Sequence, residues 1–224
     1  MILTLLDCET DSSFIADARK AALAALGLPA HGPGTLPLPH AVYLGLFLDG
    51  DARPKGLAEA YFLNQAFAGF EACPYKSPSF ANVCPFDRMS WIRTIYVVPE
   101  FRRQRPFYLY LSLAMARIFR SFGATHAGMT TRADDPFFDR LYLRTGGTLQ
   151  GYTAAPFFEH ARLALYTFDL EKLLQHPRFP SVSAGCQFDW GKLKAIRARR
   201  SNGLPGGTDT RPEIPPPEQA VEPV

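Results

Sequence analysis

The sequence lacks any long hydrophobic run: no uninterrupted apolar stretch approaches the roughly 18 to 20 residues that a membrane crossing needs. Its four cysteines form no CxxC pair, and its five histidines are not spaced to complete a zinc site with them. The first residues also lack the basic leader and apolar core of a signal peptide. We therefore expect a cytoplasmic protein with reduced thiols and no metal, the alternative for the thiols being a Cys73–Cys84 disulfide.

A strong excess of charge of either sign is also absent. The chain has 24 basic and 21 acidic residues, for a net charge of +3. Four of the acidic residues and one basic residue lie in the last 24 positions, so the remainder is more basic than the total suggests. This surplus suits an anionic ligand such as a nucleotide or an acidic carrier protein, and it is too small and scattered to predict a nucleic-acid partner. We expect no membrane partner.

Hydrophobic residues make up 47% of the 224 positions, enough for one folded domain of ordinary size. Their pattern predicts an α/β protein with a mixed, mostly antiparallel central sheet and flanking helices. The predicted strands are 2–6, 41–48, 56–63, 91–98, 126–131, 149–158 and 161–170, and the predicted helices run from the Asp11–Ser13 cap to Leu26 and over 107–122, 136–144 and 171–175.

The domain is predicted to span residues 1–175 and to contain an insertion at 64–90, which holds several prolines and aromatic residues without a clear period. Residues 176–200 form a C-terminal extension. From 201 to 224, six prolines and three glycines in 24 residues predict a disordered tail.

The most informative segment runs from Ile95 to Phe107. A strand ends at Pro99, a loop with three arginines follows, and a helix begins at once. Free backbone N–H groups and the positive end of the helix dipole would therefore meet several guanidinium groups at one point, which is the chemistry of a phosphate site. A solvated basic loop beside an ordinary helix is the alternative.

Two stretches give residues 2–170 a resemblance to the GNAT superfamily of acyl-CoA-dependent N-acyltransferases. Val97-Val98-Pro99-Glu100-Phe101-Arg102 resembles the end of the family's fourth strand and the start of its pyrophosphate loop. Asp135 to Gly146, with its Leu141-Tyr142 pair, resembles the family helix that ends at glycine. The resemblance implies a parallel pair of strands, the fourth and fifth, that splay apart to receive the pantetheine arm.

The same resemblance implies roles for particular residues. Tyr142 would protonate the departing thiolate, and the backbone of Tyr96 and Val97 would bind pantetheine. The remaining implied acyl-CoA contacts are Arg102, Arg103, Gln104, Arg105, Pro106, Phe107 and Asp135. The sequence departs from the family at three of these: Arg105 and Phe107 replace the small residues of the family loop, and Asp135 replaces an asparagine.

No general base stands out, because residues 91–98 contain no carboxylate. Glu59 and Asp87 are the nearby candidates, each with the alternative of a surface or ion-paired carboxylate. The predicted reaction is transfer of an acyl group from acyl-CoA, acetyl-CoA or longer, to a small-molecule or peptide amine.

Two other functions stay open. The first is an acyl-carrier-protein-dependent long-chain N-acyl amino acid synthase, which would take its acyl group from a carrier-bound phosphopantetheine; acyl-homoserine-lactone synthases are a related branch. The second is a non-catalytic member of the fold that binds a ligand or a protein.

Overall fold

The structure is a computed structural model, and it describes residues 1–25, 41–63, 88–102, 107–154, 162–177, 179–180 and 184. In chain order its elements are β1 (Ile2–Leu6), α1 (Ser12–Ala25), β2 (Val42–Phe47), β3 (Gly56–Phe62), β4 (Met89–Val97), a short 3₁₀ turn (Pro99–Phe101), α2 (Phe107–Ser121), β5 (His126–Arg132), α3 (Pro136–Arg144), β6 (Thr148–Ala154), β7 (Arg162–Asp169) and α4 (Leu170–Leu174).

The predicted α/β class and the mixed sheet are confirmed. One seven-stranded sheet has the order β1-β2-β3-β4-β5-β7-β6. Among the described strands, β4 and β5 form the one parallel pair, and every other neighbouring pair is antiparallel. The helix α2 supplies the crossover that joins β4 to β5, as a parallel connection requires.

The predicted insertion and the strand after it are divided differently in the structure. β4 begins at Met89, so it takes Met89 and Ser90 from the end of the predicted insertion. Both residues are buried, which a strand entering the sheet centre requires. The rest of the insertion, the C-terminal tail and both Cys73 and Cys84 lie outside the described residues.

The main core lies on the face of the sheet that carries α2, which we call the α2 face. Ten of the fifteen residues of α2 are buried, so this helix is apolar around most of its circumference and packs on the sheet and against α4. Glycine ends the helix: Gly123 has φ +85°, a conformation that costs residues with a Cβ more than it costs glycine.

A second core lies on the opposite face, which carries α1 and which we call the α1 face. Tyr43, Tyr61 and Trp91 are buried there around Ile15 of α1. The ring of Tyr61 lies 6.0 Å from that of Trp91, its partner across β3 and β4. Both faces of the central strands are therefore covered.

None of the helices that the structure describes is long and apolar enough to span a bilayer.

Truncating α2 inside the main core should destabilise the fold. Phe119 is fully buried, and its ring meets that of Phe62 edge to face at 4.7 Å. We expect Phe119→Ala to lower the free energy of unfolding by about 3–5 kcal/mol, because it leaves a cavity. The matched control is Phe137→Ala, at a side chain 52% exposed, which should cost less than about 1 kcal/mol. Urea denaturation measures both, and equal losses would contradict this account of the core.

Candidate active site

The parallel pairing of β4 with β5 covers only part of each strand. It runs from Met89–His126 to Ile92–Met129 and then stops. Beyond that point β4 stays paired with β3 as far as Val97, and β5 stays paired with β7 as far as Arg132. The two strands therefore diverge inside the sheet, and the gap between them, called the splay below, is the one that the resemblance implies.

The splay begins at a β-bulge in β4. Ala60 of β3 pairs with Ile92, but the preceding Glu59 pairs with Thr94, so Arg93 is an extra residue in β4. A bulge bends and twists its strand. Because Arg93 directly follows the last residue that pairs with β5, the bend falls where the two strands part.

The hydrogen-bond alternation of the β3–β4 ladder decides which main-chain groups face the splay. Val98 N–H donates to the carbonyl of Lys55 at 3.0 Å, which places the backbone of Tyr96, two residues earlier, towards β3 as well. The backbone of Ile95 and Val97 therefore points the other way, into the splay. Of the two predicted backbone ligands, Val97 faces the splay and Tyr96 pairs with β3; that either binds pantetheine stays a prediction.

Arg102 lies at the open end of the splay, after the 3₁₀ turn that follows β4. Its Nε donates to the carbonyl of Val97 at 2.8 Å, and its guanidinium carbon lies 5.6 Å from the centre of the Tyr96 ring. These contacts fix the side chain beside the strand end. The terminal nitrogens of the guanidinium make no hydrogen bond to any described residue. They are therefore able to bind an anion.

Tyr108, in the first turn of α2, joins the groups around the splay. Burial raises the pKa of its hydroxyl, the nearby guanidinium of Arg102 opposes that rise, and Tyr96 and the carboxylate of Asp135 add to it. The hydroxyl thus lies within electrostatic reach of β4, the turn after it and the start of α3. Its ring meets that of Phe138 edge to face at 5.1 Å, which ties α2 to α3.

Tyr142 lies on the inner side of α3, on the α2 face, with 6% of its surface exposed. Its ring packs between those of Tyr166 and Phe168, with centroids 5.2 and 5.6 Å away. Burial raises the pKa of its hydroxyl well above the ordinary tyrosine value, and the carboxylate of Asp135 raises it further. The hydroxyl makes no hydrogen bond to any described residue. Tyr142 is therefore a protonated, uncommitted donor.

Asp135 caps α3. Its carboxylate accepts hydrogen bonds from the backbone N–H groups of Phe137 at 3.0 Å and Phe138 at 3.2 Å. At the other end of the helix, the N–H of Gly147 donates to the carbonyl of Tyr142 at 2.9 Å, after Gly146 turns the chain at φ +89°. Both predicted helix ends are present, and together they hold Tyr142 in place.

Glu59 lies on the α1 face, 1% exposed, at the centre of a buried ionic cluster. Its Oε1 accepts a short hydrogen bond from the Tyr61 hydroxyl and lies 3.5 Å from Nη1 of Arg19 and 3.8 Å from Nη1 of Arg93. Arg19 in turn donates to the Tyr43 hydroxyl at 3.0 Å. The predicted alternative of an ion-paired carboxylate describes this geometry, although a role in proton transfer stays a prediction.

Two groups of predicted residues stand apart from these. Phe107 is fully buried against Phe101, so it could meet a ligand only through its backbone at the start of α2. Asp87 and the loop residues Arg103, Gln104, Arg105 and Pro106 lie outside the described residues.

Sequence reasoning did not single out Tyr108, Ile95 or Arg93. Arg93 carried a usable signal, because it is the one charged residue in a mostly apolar strand. Tyr108 and Ile95 carried none, because an aromatic residue in an apolar helix and an isoleucine in a strand look the same whether they pack or bind.

The structure resembles acyltransferases of the GNAT fold. The CoA-dependent acyl-homoserine lactone synthase BjaI, in a structure with SAM and isopentyl-CoA, is 17% identical, with a TM-score of 0.65 over 90% of this chain and 99% of that one. The CoA-dependent synthase MesI is 13% identical, with a TM-score of 0.53 over 77% and 93%. An N-acetyltransferase from Staphylococcus aureus Mu50 is 14% identical, with a TM-score of 0.53 over 75% and 98%.

The predicted GNAT-like fold is therefore confirmed. No protein-family model matches the sequence, and no curated protein matches it either. At 13–17% identity these likenesses establish the fold, and the reaction has to be argued from the residues of the splay.

Removing the cap of α3 should destabilise the helix that holds Tyr142. We expect Asp135→Ala to lower the free energy of unfolding by about 1 kcal/mol, because two N–H groups lose their acceptor. Asparagine caps helices as well as aspartate does, so Asp135→Asn is the matched control and should stay within a few tenths of a kcal/mol of the original protein. Urea denaturation compares them; equal losses in both variants would show that the charge, not the cap, is what stabilises α3.

Proposed function

We propose that the protein is an N-acyltransferase that transfers an acyl group from acyl-CoA to a primary amine by direct attack on the thioester. The observation that carries the proposal is the splay between β4 and β5, which turns main-chain groups at the centre of the sheet away from their neighbours. An interrupted strand pair at the sheet centre is costly unless something completes its hydrogen bonds.

The pantetheine arm of CoA has the chemistry to do so. It is extended and carries amide groups, so it can bind beside β4 as an added strand would, with the N–H groups of Ile95 and Val97 as donors. The same groups can polarise the thioester carbonyl.

The open end of the splay suits the diphosphate of CoA. Arg102 is held there by Val97 with terminal nitrogens remaining, and a guanidinium binds phosphate oxygens in a planar, two-point geometry. Arg103, Gln104, Arg105 and Pro106 follow directly in sequence and lead to the N-terminus of α2, so they belong to the same proposed phosphate site.

The proposed reaction needs one proton donor on the α2 face. The amine nitrogen forms a bond to the thioester carbon, and the bond from that carbon to sulfur breaks. Tyr142 gives its proton to the departing thiolate, and the proton lost by the amine passes to water. Water then returns a proton to Tyr142, so the products are an amide and a thiol and the tyrosine is restored. A tyrosine with a raised pKa suits this task because it stays protonated until the sulfur becomes basic.

Replacing Tyr142 tests this role. We expect Tyr142→Phe to lower kcat about 100-fold and to change the Kd for acyl-CoA little, because the ring stays and only the acid is lost.

The pH dependence of the original protein tests the same role. Since burial raises the pKa of Tyr142, the acid form persists as pH rises. We therefore expect kcat of the original protein not to fall up to about pH 10, where an ordinary tyrosine ionises. Steady-state kinetics from pH 6 to 10 measures both; an unchanged kcat in the variant would exclude Tyr142 as the acid.

Replacing Arg102 tests the phosphate site. We expect Arg102→Gln to weaken binding of CoA about 10- to 100-fold, because a charged hydrogen-bond donor to phosphate is lost. The matched control is a second acyl donor, an N-acetylcysteamine thioester, which has no phosphate. With this donor we expect the variant and the original protein to have the same kcat/KM. Calorimetry and thiol-release kinetics give the two readouts. Equal loss with both donors would assign Arg102 a structural role instead.

A longer or carrier-bound acyl donor is the second candidate, and one observation favours it. Phe137 is 52% exposed beside Tyr108 and Phe138, with ring centroids 6.0 and 5.1 Å away, so an aromatic surface lies near Tyr142. Burial of an acyl chain on such a surface gains roughly 0.8 kcal/mol per methylene.

Native mass spectrometry separates these proposals from a non-catalytic fold. The purified protein would be titrated with CoA, acetyl-CoA, palmitoyl-CoA and acyl carrier protein. Binding of CoA and acetyl-CoA supports a short-chain transferase, and binding restricted to palmitoyl-CoA or the carrier supports the long-chain donor. If none of the four binds, N-acyl transfer is rejected and a non-catalytic binding module takes its place.

A further inference from the structure

Three large hydrophobic side chains are exposed in the part of the chain that the structure describes: Phe137 at 52%, Leu143 at 49% and Tyr152 at 47%. Phe137 and Leu143 belong to α3, and Tyr152 belongs to β6, the edge strand that α3 contacts. Tyr152 pairs with Ala164, whose side chain lies in the main core, so Tyr152 is on the α2 face, as α3 is. Exposed apolar residues are ordinary when they are scattered, but these three lie on one side of the molecule.

Three arginines lie among these side chains. Arg140 and Arg144 are exposed on α3, and the guanidinium carbon of Arg162 lies 4.7 Å from the centre of the Tyr152 ring. None of the three arginines forms an ion pair with another described residue. We call the following six residues the α3 surface: Phe137, Arg140, Leu143, Arg144, Tyr152 and Arg162. It carries three positive charges and no carboxylate, so it suits an anionic partner.

The two arginines of α3 lie along the middle of its exposed side. Arg140 and Arg144 are about one helical turn apart and therefore on the same side of the helix. Each is two positions from the buried Tyr142, which places it about 160° around the helix from that side chain. The Nε of Arg140 donates to the carbonyl of Pro136 at 2.9 Å, and its terminal nitrogens make no hydrogen bond to any described residue. Both guanidinium groups are therefore directed away from the sheet.

The apolar side chains of α3 lie at the two edges of that exposed side. Phe137 is at the edge next to α2, where its ring lies 6.0 Å from that of Tyr108. Leu143 is at the other edge, because Asp139, one turn earlier, faces β7 and accepts a hydrogen bond from the hydroxyl of Tyr166. Asp139 is also the one acidic residue of α3, and this contact turns it away from the arginines.

This arrangement favours a lipid bilayer over a protein as the partner. A protein interface has an apolar centre and a polar rim, whereas the α3 surface has positive groups in the middle and apolar groups at the edges. At an anionic bilayer, apolar side chains of a surface helix enter the headgroup region, and arginines of the same helix bind lipid phosphates. A guanidinium binds phosphate oxygens at two points, which suits it to this position.

We propose that the α3 surface binds the face of an anionic lipid bilayer, with its arginines on the lipid phosphates and its apolar side chains at the depth of the headgroups. The inference goes beyond N-acyl transfer and holds whether or not the protein carries out that reaction. It differs from the sequence-based expectation of no membrane partner. That expectation considered hydrophobic runs and net charge, and the residues of the α3 surface form neither in the chain, because they meet only in the fold.

Vesicle sedimentation of the full chain tests the inference. The vesicles would contain phosphatidylcholine alone or phosphatidylcholine with about 30% phosphatidylglycerol. We expect the protein to bind the anionic vesicles and not the neutral ones, and the binding to weaken at least tenfold when NaCl rises from about 50 to about 500 mM, because salt screens the charges. Replacing two arginines together, as Arg140→Gln with Arg144→Gln, should weaken binding about 10- to 100-fold.

Two variants control this experiment. Lys20→Gln with Arg120→Gln lowers the net charge by the same amount at exposed positions outside the α3 surface, in α1 and at the end of α2, and it should bind as the original protein does. Leu143→Ser keeps every charge and removes an exposed apolar side chain, so it should fold normally and bind about 3- to 10-fold more weakly. Equal losses in the two double variants would show that net charge governs binding and would overturn the inference.

Fluorescence reports whether the surface enters the headgroup region. The emission of Leu143→Trp, taken as the difference from the original protein, should shift to shorter wavelength with anionic vesicles, since an indole leaves water there. Bound protein without this shift would contradict the proposed apolar contact.

Acyl carrier protein, an acidic protein, is the alternative partner to be tested against the same variants. Absence of binding to anionic vesicles would overturn the inference. If the carrier then binds the original protein but not Arg140→Gln with Arg144→Gln, the α3 surface is a protein docking site instead. None of these measurements requires turnover, so failure of N-acyl transfer leaves the inference standing.

Discussion

The bulge at Arg93 is the feature on which the rest of the site depends. One extra residue opposite Glu59 changes the hydrogen-bond parity of β4, so that Ile95 and Val97 turn their main-chain groups away from β3. The same residue bends β4 away from β5, and the parallel pairing stops at Ile92. The gap and the orientation of the groups that line it therefore have a single cause.

The bulge is tied to a buried charge. Glu59 is almost fully buried in an otherwise apolar strand, and a carboxylate in that position is unfavourable unless its oxygens are well paired. Arg93 lies on the α1 face, as does Trp91 two residues earlier, and it reaches Glu59 there; Arg19 and Tyr61 complete the pairing. Removing one partner of such a cluster leaves a buried charge unpaired, so the cluster links Arg93, and with it the bulge, to Glu59.

The two faces of the sheet then differ in chemistry. On the α2 face, aromatic rings pack around the ring of Tyr142, and burial raises the pKa of its hydroxyl. On the α1 face, guanidinium groups and hydroxyls predominate around Glu59. The two sides of the splay therefore differ: one is apolar around a single tyrosine hydroxyl, and the other carries buried charges.

The sequence by itself determined the elements and their ends, because these depend on local chemistry. The alternation of apolar residues defined the strands, and Asp135 and Gly146 defined the ends of α3 through a cap and a left-handed turn. The turn that ends at Arg102 and the helix that carries Tyr142 were predicted from short motifs for the same reason. Only the tertiary structure decided which strands part, because the bulge depends on the register between β3 and β4. A one-residue shift moves side chains to the other face, but both faces of these strands are covered, so apolar residues face both ways and their pattern does not reveal the shift. For that reason it also decided that Ile95 rather than Tyr96 faces the splay, and that Glu59 meets Arg19 and Arg93, which are distant in the chain.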